Sequence, residues 1–112
     1  MIPNESARVV FDESMRPGGF AFSIRENRVD EEGFARLISA VKAVAAAVRN
    51  DASIDRLIVA CLFELPWEIE NTVDHYKKQS PELGARVRHM AESLRDSIND
   101  LLWGALSRIT SS

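Results

Sequence analysis

The sequence predicts a mainly α-helical domain of the α+β class, in which a short N-terminal β-hairpin precedes an antiparallel bundle of three long helices. Three observations lead there. Phe20, Phe22 and Ile24 alternate with Ala21, Ser23 and Arg25, the period-two signature of a half-buried strand. From Phe34 onward, apolar residues recur at three- and four-residue steps, the signature of amphipathic helices. Helix-start signals stand at Asp30 and Ser80. With 112 residues the chain is expected to form one domain, 1–112, around a single core.

The hairpin is expected over residues 7–25. Arg8-Val9-Val10-Phe11 supplies a β-branched and aromatic run, and Met15-Arg16-Pro17-Gly18-Gly19 supplies the turn. Two strands alone are marginal in water, so this hairpin must pack on helices or on a second chain. The first helix is expected over 31–49. Asp30 is its N-cap, Glu31 and Glu32 face the positive end of the helix dipole, and Val29 and Phe34 form a hydrophobic staple. Its core face carries Phe34, Leu37, Ile38, Val41, Val44, Ala45 and Val48.

The middle segment is expected as one helix over 53–79, bent at Pro66. Residues 56–65 could also be read as a buried strand, which would make a three-stranded sheet. Yet Ile54, Leu57, Ile58, Cys61, Leu62 and Leu65 fit a helical stripe, which keeps its phase across Pro66 through Ile69, Val73 and Tyr76. The last helix, over 81–109, starts at Ser80-Pro81, where a proline at the first position loses no bond. Its stripe runs from Leu83 through Val87, Met90, Leu94, Ile98 and Leu101 to Ile109.

Composition narrows the function classes. A net charge of −3 argues against dependence on a phosphate backbone, so nucleic acid is an unexpected partner. Arg86, Arg88, His89 and Arg95 interleave with Glu82, Glu92, Asp96 and Asp100, a mixed field. The single cysteine, Cys61, cannot close an internal disulfide and reads as a small core hydrophobe. The longest apolar run, Leu57–Phe63, is too short to cross a membrane, and Met1–Glu5 lacks a signal-peptide pattern. A cytoplasmic protein is the expectation.

No phosphate loop, zinc-type cysteine pair or nucleophile turn is present, so no catalytic residue is named and no cofactor is expected. The one polar grouping of interest is Glu64, Glu68, Asn71 and His75, which share one side of the middle helix. Glu64, Glu68 and His75 are therefore weak candidates for a metal or small-ligand edge. His89 points away from the bundle and does not join them.

The remaining signal is apolar surface. Val59, Phe63 and Trp67 form a patch opposite Ile54 and Ile58, and Trp103 lies about 160° from the centre of its own stripe. Ala40, Ala43 and Ala47 form a small-residue face suited to close helix approach. The hairpin is expected to cover the patch around Val59 and Phe63. At least one of the others is expected to be an oligomer or partner interface. These features predict a non-enzymatic interaction module: an adaptor, assembly factor or regulatory subunit. It is expected to pair with itself as a homodimer and to bind another protein, with Trp103, Trp67 and Phe63 as anchors.

Overall fold

The structure, a computed structural model, describes residues 4–49 and 53–104. Seven helices make up about 80% of it, and no strand occurs among the described residues. They are α1 (Asn4–Met15), α2 (Phe20–Arg25), α3 (Glu31–Val48), α4 (Arg56–Leu62), α5 (Leu65–Glu70), α6 (Val73–Gln79) and α7 (Pro81–Trp103). The expected β-hairpin over 7–25 is not formed; α1 and α2 stand in its place.

The reason lies in which residues are buried. Phe20 and Ile24 share a face under both periodicities, since a spacing of four suits a strand and a helix alike. Ala21 and Ser23 are also buried whereas Phe22 is 39% exposed, and only a helix gives that pattern. In α1 the buried positions are Val10, Glu13 and Ser14. Two of the three are polar, which hides the helical period from an apolar count. Ser14 Oγ donates to the Val10 carbonyl one turn back, so its hydroxyl is satisfied inside the helix.

Glu13 joins the first three helices. One carboxylate oxygen accepts the Phe20 backbone N–H at 3.0 Å, at the start of α2. The other accepts Arg36 Nε of α3 at 2.9 Å. Gly19 allows this junction: a Cβ there would lie 2.1 Å from the Asp12 carbonyl oxygen. The glycine thus serves close approach of α1 and α2, with an ordinary φ of −85° rather than a left-handed one.

α3 matches its expected start. Asp30 accepts the Gly33 N–H at 2.9 Å, and Phe34 tilts against Phe20 at 5.3 Å between ring centres. The middle segment departs from the single bent helix expected over 53–79. The phase of its stripe holds, because Leu62, Leu65, Ile69, Val73 and Tyr76 are all buried. Its backbone is broken twice. α4 starts late, where Asp55 accepts the Leu57 N–H at 2.8 Å, and Pro66 opens α5. After Glu70, the Thr72 hydroxyl donates to the Ile69 carbonyl at 2.7 Å, competing with the helix ladder.

α7 is the spine, against which α3, α5 and α6 pack. Ser80 caps it by accepting the Leu83 N–H at 3.3 Å, as expected. Residues 105–109 of the expected helix lie outside the described residues. Tyr76 is buried and its hydroxyl donates to the Ile24 carbonyl at 2.6 Å, tying α6 to α2. Burial raises the phenol above its ordinary pKa and keeps it a donor. Across the outer edge, Arg86 of α7 grips the Glu31 carboxylate with Nε at 2.8 and 3.1 Å, which holds that carboxyl below its usual range.

α6 and α7 meet tightly at Gly84, where a Cβ would lie 2.7 Å from Lys77 Cβ and 2.8 Å from its Cα. An alanine would gain about 1 kcal/mol of helix propensity, but overpacking against backbone costs about 1–3 kcal/mol. Gly84→Ala is therefore expected to lower stability in chemical denaturation. A more stable variant would show that the two helices are not in close contact.

Candidate contact surface around α4

α4 is held on one side only. Ile58 and Leu62 are its buried residues, spaced four apart so that they share a face, and α1 and α5 are its main neighbours. Its other side meets solvent: Leu57 is 74% and Phe63 75% exposed. Apolar side chains on adjoining helices extend this surface. Phe11 and Met15 of α1, Trp67 of α5 and Leu102 of α7 are all exposed.

These residues border three adjacent grooves. Between α4, α5 and α7 lies a cleft of about 380 Å³ flanked by Val59, Phe63, Trp67 and Leu102. On the opposite flank of α4, Phe11, Leu57 and Cys61 line a groove against α1. The third, between Met15, Leu57, Phe63 and Glu68, connects the first two. Val59 and Phe63 belong to two of the three, and so do Leu57 and Cys61.

Charges at the rim are mostly satisfied within the chain. Arg16 Nε lies 3.3 Å from Asp12, Arg25 3.6 Å from Glu68, and Arg95 2.7 Å from Glu70. Such pairs fix side chains more than they stabilise; exposed ones are worth about 0.2–1 kcal/mol. The last two brace α5 from both sides, against α2 and α7.

The expected contact residues fall into two groups. Phe63, Trp67 and Trp103 are exposed, and Val59 is half-buried. Trp103 ends α7, next to Leu102 of the cleft. Of the small-residue face, Ala40 is only 5% exposed, while Ala43 and Ala47 are half-buried. α1 packs on α3, and Val9 faces Ala40 and Ala43 across a shallow groove. The N-terminal segment therefore lies over the alanines, whereas it was expected over Val59 and Phe63.

The polar edge does not converge. Glu68 pairs with Arg25, and His75 Nε2 sits 2.8 Å from Asn27 Oδ1. Glu64 and Asn71 are exposed. Among the described residues no group of three or more His, Cys, Asp or Glu side chains is placed to hold a metal ion. His89 lies in a separate polar groove with Lys42 and Glu92.

Sequence reasoning missed Leu57, Phe11 and Met15. The apolar stripe of the sequence puts Leu57 among the buried residues. Asp55 as N-cap could have warned of a fresh start, leaving Ile58 and Leu62 as the inward pair. Phe11 and Met15 were hidden by the strand reading.

No protein-family model matches the chain, and no curated protein or solved structure is significantly similar to it. No described helix is long and apolar enough to cross a membrane.

If the polar edge bound metal despite this separation, zinc would raise the melting temperature. The expected result is an unchanged melting curve with Zn²⁺ or Mn²⁺ in molar excess over the protein. A rise of several degrees that disappears in His75→Ala would restore the metal reading.

Proposed function

We propose that this chain is a non-enzymatic protein-interaction module, an adaptor, assembly factor or regulatory subunit of the cytoplasm, that binds through the apolar surface around α4. The observation that carries this reading is the gathering of Leu57, Phe63 and Trp67 around one thinly packed helix, each more than 60% exposed. Isolated exposed hydrophobes are ordinary, but a contiguous set rimmed by charge marks contact surfaces. Aromatic residues in such places dominate binding energy, because they bury a large area at small conformational cost. Trp67 beside the cleft and Trp103 at the end of α7 serve as the aromatic anchors.

Support comes also from the division of labour within α5. Leu65, Pro66 and Ile69 are buried, so Trp67 is free of the core. Removing it should leave the fold intact. Phe63→Ala and Trp67→Ala are expected to weaken association at least tenfold, about 1.4 kcal/mol, while shifting the melting temperature by no more than a few degrees. Association is read as self-association by sedimentation, or as affinity for a protein retained from cell extract. A large loss of stability with association unchanged would place these side chains in the core and remove the basis of the proposal.

A further inference from the structure

The charges of α7 separate by face. Arg86 and Arg95 turn to carboxylates on other helices, Glu31 of α3 and Glu70 of α5. Glu92, Asp96 and Asp100 follow one another at intervals of four residues. They therefore fall within an arc of about 80°, with steps of about 6 Å along the axis. All three are exposed, and none forms an ion pair or a hydrogen bond with a described residue. They line a polar groove between α7 and α3, with Lys42 on the opposite wall and His89 toward its N-terminal end.

This arrangement costs the chain stability. Like charges four residues apart on a helix repel each other. Asp100 also lies in the last turn of α7, which holds no basic residue, against the negative end of the helix dipole. Two further groups join the face. Ser97 lines the groove and is only 8% exposed, yet its hydroxyl makes no hydrogen bond with a described residue, unlike those of Ser14 and Thr72. Trp103, two turns beyond Asp96, falls within about 20° of it on the helix. Its indole, 64% exposed, ends the same face.

We propose that this groove docks a basic segment of a partner protein. Its Lys or Arg side chains meet Glu92, Asp96 and Asp100, a polar group meets the Ser97 hydroxyl, and Trp103 offers its ring face to a further cation. Charge complementarity selects this occupant: a cationic segment relieves both repulsions, which an apolar or acidic one leaves in place. Among the described residues no three His, Cys, Asp or Glu side chains are placed to hold a metal ion, which sets the groove apart from a metal site. The inference goes beyond the α4 reading, because this groove shares no lining residue with the three grooves around α4.

The test is the affinity of the full chain for a short labelled peptide of alternating arginine and serine, by fluorescence anisotropy at low and at about 0.15 M ionic strength. The wild-type chain is expected to bind, more tightly at low salt. A variant carrying Asp96→Asn and Asp100→Asn should bind roughly tenfold more weakly or worse, yet melt no lower than wild type, since it loses the repulsion. Ser97→Ala should weaken binding severalfold. The control, Glu26→Gln with Asp74→Asn, removes the same charge from exposed positions elsewhere and should bind as wild type does. Phe63→Ala should also leave this affinity unchanged, which keeps the test separate from the α4 surface. Equal weakening in the control would reduce the effect to net charge and overturn the groove. Unchanged binding in Ser97→Ala would overturn docking against its floor, and a wild-type chain that does not bind the peptide would overturn the basic segment as occupant.

Discussion

The Glu13 carboxylate is the constraint on which the rest of the structure depends. It is 7% exposed, and its two oxygens go to different helices: one to the first N–H of α2, the other to Arg36 of α3. The two bonds are not of equal weight. Arg36 is half exposed, so water screens much of that ion pair, and exposed pairs contribute about 0.2–1 kcal/mol. The Phe20 amide is buried with its residue, and a buried donor left unmet costs about 1–3 kcal/mol. The capping of α2 is therefore the stronger reason for a carboxylate inside α1. The clearances around it follow. Gly19 admits the backbone of α1, and a Cβ on Gly33 would lie 2.9 Å from a Glu13 oxygen and 2.5 Å from the Asp30 cap.

Once α1 is fixed in this way, the two sides of the molecule separate in character. On the α7 side, α3, α5 and α6 pack around a continuous apolar core, with Val87, Met90 and Leu94 fully covered. Arg86–Glu31 and the close approach at Gly84 lock the edges. On the α1 side, α4 is attached by two buried side chains, with Val59 and Cys61 half-buried beside them, and turns Leu57, Ala60 and Phe63 outward. A short helix with so little buried area gains little from packing of its own. The same geometry explains why Phe63 and Trp67 can be exposed without cost to the core, since Leu62, Leu65 and Ile69 fill the inward positions.

Much of this was legible in the sequence, and what was not has physical causes. α3 and α7 could be read because their caps, Asp30 and Ser80, agree with long uninterrupted stripes. The segment 7–25 misled because Phe20 and Ile24 satisfy both periodicities, and because the inward face of α1 is polar at Glu13 and Ser14. A buried carboxylate looks like a surface residue until its partners, 7 and 23 residues away, are known. In the middle segment the phase was right but its breaks were not. Pro66 suggested a bend in one helix, and the hydroxyl of Thr72 gave no apolar signal. At the candidate surface, Phe63, Trp67 and Trp103 stood out because they lie off their stripes. Ala40 reads as open small-residue surface in the sequence, because the strand signature of residues 7–25 hides the helix that covers it. Leu57 is lost to the stripe because only Ile58 and Leu62 set the inward face of α4, which starts at Arg56, two residues after the apolar pattern begins at Ile54.

The most direct measurement of the Glu13 constraint is chemical denaturation of two variants. Glu13→Ala leaves the buried Phe20 amide unmet and is expected to lower stability by about 1–3 kcal/mol. Arg36→Ala removes only the half-exposed ion pair and is expected to cost no more than about 1 kcal/mol. Equal losses, or a larger loss in Arg36→Ala, would contradict the capping of α2 as the reason for a carboxylate inside α1.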